Sequence, residues 1–492
     1  MINRSTVLDI PDIYIWELDE GPRVIKAVPT GIIGLVDAFP WGPVNESTTV
    51  GDLTAGVKTF GTPSSTHKGP YSFLGALKQG ARAFRFIRVV GEGAAKSTIT
   101  CQDSTAVDVV TFNAPYEGVL GDEFSVEIAD NTVASGTVNV VFYFGNTVEQ
   151  HKAVQMADTT ASDYLVDFIN KNSQLGVTAE AVGTPTANPA PLVETNFSGG
   201  NDGGALTPAD YIGTVDGQTG DRTGLKLMET VDEVSIVIAG SGLEDDEDLQ
   251  TLNGGLIDHA ETMGDRIVCL GPAKNQSVNA VKATRLNYNS TRARLYYPWF
   301  KLFDEWAGEI VTLAPAAFAA GRLSVIKAHK SLSNKEVQGI KGLERDLTRA
   351  EVADLFANQI TSITKMRGRG YRFRCDHALT TDTRWQQGAH RRKADQIQES
   401  IYEGTQWAVS ENNNEEDLWS PLRESVKTLL GPMKREREIY DYWVKCDEET
   451  NPEDVINQNI CKFKYGIKYQ EPADYIIFEG EKLLTTGEVT IT

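Results

Sequence analysis

Two short stretches in the middle of the chain decide the fold: VSIVIA at residues 234–239 and RIVCL at residues 266–270. Apart from Ser235 and Arg266, each is a run of apolar and β-branched residues, which is typical of strands buried on both faces of a parallel sheet. The polar segment between them has the length and composition of a helix. Together they predict βαβ units and an α/β core.

Composition changes along the chain and indicates several domains. The stretch from 101 to 198 contains only two basic residues among many Thr, Val, Asn and Gly, which predicts an inserted, mostly β domain. On both sides of it the α/β character is present, and a last region begins near Gly368. The predicted boundaries are 1–25 for an N-terminal segment, 26–100 and 199–367 for the outer α/β domain, 101–198 for the insertion, 368–472 for an inner α+β domain and 473–492 for a C-terminal segment.

Large apolar side chains occur close to both ends of the chain, where residues are usually polar and solvated. Such runs would place apolar groups on both faces of a strand, so we expect each end to add to a sheet. The residues alone leave open whether that sheet belongs to the same chain or to a neighbour. The residues concerned are Ile13, Tyr14, Ile15, Trp16 and Leu18 near the start, and Tyr475, Ile476, Ile477 and Phe478 near the end.

The region before the C-terminal segment predicts one helix and two strands. Apolar residues fall on one face of a helix over 421–430, with Ser420 as its expected cap. A strand is expected over 442–446. In residues 461–469 apolar residues alternate with lysines and one glycine, which predicts a second strand with one apolar and one basic face.

Net charge and hydropathy exclude several classes of protein. The formal charge of -21 argues against a protein that coats nucleic acid, because such a protein needs a basic surface to replace phosphate counterions. No apolar stretch reaches the roughly 20 residues of a membrane helix, so we expect no membrane insertion. The polar first residues lack the pattern of a signal peptide, and we expect synthesis and folding in a cytosol.

The sequence contains no recognisable catalytic or cofactor motif. There is no P-loop, dinucleotide fingerprint or HExxH sequence, and the histidines are dispersed, so we expect no catalytic residue, no cofactor and no metal site. The glycine-rich segment 217–224 is expected to be a loop. The five cysteines are too scattered for a disulfide scaffold, and buried reduced thiols are the simplest interpretation. Their odd number leaves room for pairing between subunits.

Several segments, in this order along the chain, resemble the contractile tail sheath family of bacteriophages, R-type bacteriocins and related contractile injection systems. The most distinctive is VKCDEETNP at residues 444–452. The others are IYI at 13–15, GPR at 21–23, GPVN at 42–45, GGNDG at 199–203, DYIG at 210–213, YYPW at 296–299, GTQWAV at 404–409 and PADYIIF at 472–478. The resemblance spans nearly the whole chain and is weakest in the insertion, where the family carries variable outward-facing domains.

The resemblance implies an α/β (α+β) multidomain fold whose inner, tube-proximal domain is completed by terminal β-strand arms exchanged between subunits. It implies a structural, non-enzymatic protein that polymerises helically, as stacked hexameric rings, around an inner tail tube. Contraction from a metastable extended state would drive the tube through the target cell envelope for genome ejection. The implied partners are further copies of the chain, the tube protein, and baseplate and tail terminator proteins. The implied location is the virion, after assembly in the bacterial host cytoplasm.

The resemblance also assigns roles to individual residues. A basic excess around the helix at 421–430 predicts contacts with the tube through Arg423, Lys427, Lys434 and Arg435; a solvated basic helix end is the simpler interpretation. Cys101 and Cys375, near predicted domain junctions, are candidates for a disulfide between subunits, whereas Cys446 and Cys461 are expected to be ordinary core thiols. The alternatives to a sheath subunit are a cytosolic α/β enzyme with an unrecognised site and a non-contractile surface or binding protein.

Overall fold

The structure, a computed structural model, describes residues 23–64 and 66–480. The chain forms two compact units. The larger unit comprises residues 29–392, and the smaller unit comprises residues 393–480 together with 23–28. The predicted N-terminal arm residues Ile13, Tyr14, Ile15, Trp16 and Leu18 lie outside the described residues. Among the described residues, none of the helices combines the length and the apolar character of a membrane span.

The larger unit begins with α/β elements, continues into a β module and returns to α/β elements. Before the module are β1 (Ile33–Ala38), β2 (Thr48–Val50), α1 (Leu53–Phe60), α2 (Gly69–Lys78) and β3 (Phe84–Val89). The module contains β4 (Lys96–Gln102), β5 (Asp108–Glu117), β6 (Ser125–Asp130), β7 (Val138–Phe144), β8 (Thr147–Val154), α3 (Leu165–Asn172), β9 (Thr178–Ala181) and β10 (Leu192–Asn196).

The elements after the module complete the unit, and the last helix continues into the smaller unit. They are α4 (Pro208–Ile212), α5 (Gly224–Met228), β11 (Ile236–Ala239), α6 (Asp246–Met263), β12 (Ile267–Leu270), α7 (Val278–Arg285), β13 (Ala293–Tyr297), β14 (Phe300–Phe303), β15 (Ile310–Leu313), α8 (Ala316–Val325), β16 (Glu336–Val337), β17 (Ile340–Leu343), α9 (Arg349–Ala357), β18 (Thr361–Met366), β19 (Gly370–Phe373) and α10 (Gly388–Gly404).

A nine-stranded sheet organises the larger unit, in the order β16-β19-β18-β13-β12-β11-β1-β3-β2. The neighbours from β3 to β18 are parallel, and β2 and β19 run antiparallel to them. Taken in chain order, the parallel strands follow the doubly wound order 2-1-3-4-5-6. Apolar clusters cover both faces, with α2 and α8 on one side and α5, α6, α7 and α9 on the other. The predicted strands at 234–239 and 266–270 are β11 and β12, so the α/β prediction is confirmed.

The β module has its own core between two antiparallel sheets, β4-β5-β9 and β10-β6-β7-β8. Phe112 and Phe142, one from each sheet, meet edge to face with ring centroids 5.1 Å apart. The module starts at Lys96, earlier than the expected residue 101, because Lys96–Gln102 is one continuous strand. Arg88 connects the module to the rest of the larger unit. Its buried guanidinium donates to the carbonyl oxygen of Gly42, before the module, and to that of Glu117 in β5, each at 2.8 Å.

A buried carboxyl group lies at the carboxyl end of β1, where the strand order of the sheet reverses. Ligands of doubly wound sheets bind in this crevice. Here the crevice is filled: the space lined by Asp37, Ser241 and Trp299 measures about 20 Å³, close to the room that one water molecule needs. Asp37 is fully buried and accepts hydrogen bonds from the backbone N–H groups of Ala38 (2.9 Å) and Ser241 (3.2 Å).

Burial raises the pKa of Asp37 from 3.8 to about 6, although the two N–H groups oppose the shift. The folded chain therefore holds this proton more tightly than the unfolded chain does. The resulting stabilisation is complete below pH 4 and is lost as the pH rises through 6; its full size is about 3 kcal/mol.

We therefore expect Asp37→Asn to gain stability relative to the wild type, by up to about 3 kcal/mol, between pH 4 and pH 7.5. The measurement is the free energy of unfolding in urea at several pH values. Asp130→Asn, at an exposed carboxylate, is the matched control. A difference between Asp37→Asn and the wild type that stayed constant over this range would contradict the assignment.

Most of α10 belongs to the smaller unit. Besides short helical turns at 406–408 and 415–419, four helices and strands follow it. These are α11 (Ser420–Arg435), β20 (Ile439–Lys445), α12 (Glu453–Ile456) and β21 (Lys464–Tyr469). Its apolar core joins α10, α11 and the start of β20 through Ile25, Ile397, Val426, Leu429, Leu430, Met433 and Ile439.

The predicted cap of α11 was wrong. Ser420 has helical backbone angles, and a π-helical turn, Glu415–Trp419, leads directly into the helix. The side chain of Asn414 accepts from the N–H groups at 416 and 417 and caps this turn instead. The helix starts early because Leu418 and Trp419 are buried and extend its apolar face by one turn.

Candidate assembly site in the smaller unit

The strands β20 and β21 form an incomplete sheet. They pair antiparallel, with Tyr442 opposite Ile467 and Val444 opposite Tyr465, and no third strand of the described chain pairs with either of them. These four side chains pack partly buried against the core of the unit. A sheet of two strands is marginal in water, and an open edge accepts a further strand through its backbone N–H and C=O groups. We refer to β20 and β21 as the open hairpin.

The chain that follows the open hairpin carries a run of exposed apolar side chains. Residues 470–480 contain neither helix nor strand. Within this segment, Tyr475, Ile476, Ile477 and Phe478 are 76%, 74%, 82% and 93% exposed. A contiguous exposed apolar patch marks an interaction site. Within one described chain these residues add to no sheet, so their pairing with a neighbour stays a prediction.

The outer face of the open hairpin is aromatic and basic. Tyr440 and Trp443 are more than half exposed. The ammonium group of Lys468 lies 4.4 Å from the ring centroid of Tyr440, within cation–π distance. Trp443 lies over Gly466, where a Cβ atom would come within 2.3 Å of the indole nitrogen. The sequence reasoning missed both aromatic residues, although a glycine inside an alternating strand is a signal of close approach.

Three of the four predicted tube-facing cations have an acidic partner within the chain. Lys427 pairs with Glu424 at 2.8 Å, and Lys434 pairs with Asp441. The hydrogen bond to Asp441 raises the pKa of Lys434 above its usual value. These pairs lie on exposed surface, where ion pairs contribute little to stability. The charges therefore remain available to a partner that offers a better arrangement of acidic groups.

Arg423 has a structural role that the sequence did not reveal. Its guanidinium pairs with Glu415 and also donates to the carbonyl oxygen of Cys446. It thereby joins the turn before α11 to the end of β20. The hydrogen bond with Glu415 raises the pKa of Arg423, so the guanidinium of Arg423 stays protonated. Because this side chain is only 22% exposed, it is the least accessible of the four cations.

Lys427, Lys434 and Arg435 converge on one shallow depression between α11 and β20. The depression measures about 740 Å³ and is also lined by Tyr442 and Trp443. The structure therefore brings together three of the predicted cations beside the open hairpin, on the exposed side of a helix whose other side is core. This arrangement suits a surface of acidic groups on a partner.

Comparison with known proteins places the chain in a family. Residues 204–376 match the model of the phage tail sheath protein central domain, and residues 380–481 match the phage tail sheath C-terminal domain. Together they span more than half of the chain. This protein belongs to the phage tail sheath family. The tail sheath protein of Burkholderia phage BcepMu is 24% identical to this sheath protein over 511 residues, covering 97% of this chain and 96% of the relative.

Solved structures share the fold of this sheath protein. The sheath tail protein from Listeria innocua aligns with a TM-score of 0.62 at 16% identity, covering 87% of this chain and 90% of the other. The helical sheath of the anti-feeding prophage in its contracted state aligns with a TM-score of 0.59 at 14% identity, covering 96% and 99%. The predictions of a sheath family, of its mixed α/β fold and of a structural sheath subunit are confirmed.

Four of the five cysteines of this sheath protein are buried, and Cys461 is partly exposed. Cys101 belongs to the core of the β module and is 4% exposed, and Cys375 is 1% exposed. Burial raises the pKa of Cys101 to about 12. A thiol buried in its own subunit cannot reach another subunit unless the fold opens locally, so a disulfide between subunits through Cys101 or Cys375 stays a prediction that requires such opening. Cys446 and Cys461, expected to be unremarkable core thiols, lie side by side with 3.8 Å between their sulfur atoms.

Proposed function

We propose that this sheath protein polymerises by strand exchange into a helical sheath around an inner tail tube. The observation that carries the proposal is the open hairpin followed by the exposed apolar run at 475–478. The C-terminal segment 473–492 and the N-terminal segment 1–25 would each leave their subunit and add a strand to the inner domain of a neighbour. The outer domain and the β module would lie farther from the tube.

Each exchanged strand would form a strong but reversible joint. About five backbone hydrogen bonds at roughly 1 kcal/mol each, together with burial of large side chains such as Phe478, give several kcal/mol per joint. Two arms per subunit produce a mesh that stays connected while subunits move. Stacked hexameric rings are the arrangement that we expect for this mesh.

The force would come from the subunit interface. A sheath assembled in an extended state of higher free energy contracts when a baseplate releases it, and a small gain per subunit adds up over many copies. The proposal needs no catalytic step and no cofactor. Tube, baseplate and terminator proteins are the proposed partners; the particle forms in the bacterial cytoplasm and acts as part of the virion tail.

Electron microscopy of the purified full-length chain tests this function. We expect tubes or rods whose abundance rises steeply with protein concentration. Coexpression with an acidic-surfaced tube protein of the same particle should give longer, tube-filled rods. Uniform compact particles at every concentration, with and without the tube protein, would favour a non-contractile binding protein or an enzyme instead.

A further inference from the structure

Cys446 and Cys461 lie at the two ends of the loop that closes the open hairpin. Cys446 directly follows β20, and Cys461 precedes β21 by a short segment. The two residues are 15 positions apart in sequence, and both are free thiols. Their sulfur atoms are 3.8 Å apart. Since a disulfide bond brings two sulfur atoms to about 2.0 Å, closure needs a displacement of less than about 2 Å.

Asn451 holds the two ends of this loop together. Its side-chain oxygen accepts from the N–H of Lys462 at 2.6 Å, and its amide nitrogen lies 3.5 Å from the sulfur of Cys446 and 3.3 Å from the carbonyl oxygen of Lys462. Asn451 is 1% exposed. One buried side chain therefore positions both strand ends, and the sulfur atoms are close without a bond between them.

The surroundings of the pair favour a disulfide over a metal site and set the order of reaction. No group of three or more Cys, His, Asp or Glu residues in the described part of the chain could hold a metal ion. Cys446 is fully buried, whereas Cys461 is partly exposed. Burial raises the pKa of both thiols, that of Cys446 to about 12. Both are therefore protonated at neutral pH, which makes the pair slow to oxidise in a reducing cytosol.

We propose that Cys446 and Cys461 are a site of intrachain disulfide formation by a small-molecule disulfide such as oxidised glutathione. The thiolate of Cys461 attacks one sulfur of the oxidant, forms a mixed disulfide and releases one glutathione thiol. The thiolate of Cys446 then attacks the sulfur of Cys461 and releases the second. The protein loses two protons and two electrons in total, and the oxidant takes them up as two glutathione thiols.

The bond would tie together the base of the open hairpin. It closes the loop that contains α12 and limits opening of the loop, because a cross-link removes extended conformations of the chain. The strands of the candidate assembly site would thus become harder to separate outside the reducing cytosol. This inference concerns one chain and holds whether or not the protein assembles as proposed.

Redox titration of the full-length wild-type chain tests the proposal. The chain is equilibrated with mixtures of reduced and oxidised glutathione, folded and in guanidinium chloride, and then alkylated. Mass spectrometry of the peptides measures the fraction that carries a bond between Cys446 and Cys461, which is recognised because neither cysteine takes up the alkylating reagent. We expect this bond to form in the folded chain at a glutathione ratio at least about tenfold more reducing than in the unfolded chain.

Two variants act as controls. Cys101→Ser with Cys375→Ser should leave the titration unchanged. Cys446→Ser should stop it at a mixed disulfide between Cys461 and glutathione. The proposal is overturned if the bond forms no more readily in the folded chain than in the unfolded one, or if the oxidised product is a cross-link between chains on a non-reducing gel.

Discussion

Replacing Ile476 and Phe478 with aspartate is expected to abolish polymerisation while leaving the folded subunit intact. Both side chains are more than 70% exposed within the described chain, so the substitution removes little packing from the monomer. In an exchanged strand they lie on the same face, because side chains alternate with a period of two. Losing the burial of two large apolar groups weakens each joint by about 3 kcal/mol or more, which is at least about a hundredfold per joint.

Pelleting by ultracentrifugation, negative-stain microscopy and thermal unfolding measure the two parts of this expectation. Assembly should vanish at concentrations where the wild type forms tubes, and the melting temperature should stay within about 2 °C. Val133→Asp with Val193→Asp is the matched control, because these valines of the β module are 94% and 81% exposed.

Removal of residues 1–20 should likewise give a soluble, cooperatively folding chain that does not polymerise. Normal tubes from either arm variant would refute strand exchange through that arm.

The sequence predicted the elements whose pattern is local and strong. The strands β11 and β12 are nearly continuous apolar runs, and the alternation in residues 461–469 marked β21. The start of α11 was missed because Asn414 caps a π-helical turn, a form that helical periodicity does not distinguish. Propensity therefore gave the type of element more reliably than its boundary.

Contacts between distant residues could not be predicted from composition. The acidic partner of Lys434 is Asp441 on the next strand, and Arg423 reaches Glu415 before its own helix. The approach of Cys446 to Cys461 depends on the loop between them and on Asn451, which no pattern of cysteine spacing encodes. Such pairs are set by the path of the backbone, and only the folded chain brings them together.

Reversing the charge of Lys427 and Lys434 is expected to give sheaths that form without a tube or already contracted. Both lysines line the depression beside the open hairpin, and both are about half exposed. Contacts between exposed charges set register and association rate more than they set strength, which suits a tube that must be held and then released. Lys152→Glu with Lys171→Glu changes the net charge equally on the β module and serves as the control.

The existing ion pairs allow a sharper version of this experiment. The exchanged variant swaps the two members of each pair: Glu424→Lys with Lys427→Glu, and Asp441→Lys with Lys434→Glu. If the lysines act only within the chain, this variant restores both ion pairs and should assemble normal tails. If they bind acidic groups of the tube, the exchanged variant keeps its pairs and net charge but presents the charges in other positions, and tube-filled extended tails should remain scarce.

We expect that tube-filled extended tails remain scarce, as counted by electron microscopy of tails assembled with the tube protein. The stability of the subunit should change by no more than about 1 kcal/mol in either variant, because exposed charge pairs contribute little to it, even where Asp441→Lys faces Lys468 on β21. Extended, tube-filled tails at the wild-type yield from the double reversal would assign the basic excess to the solvated end of α11.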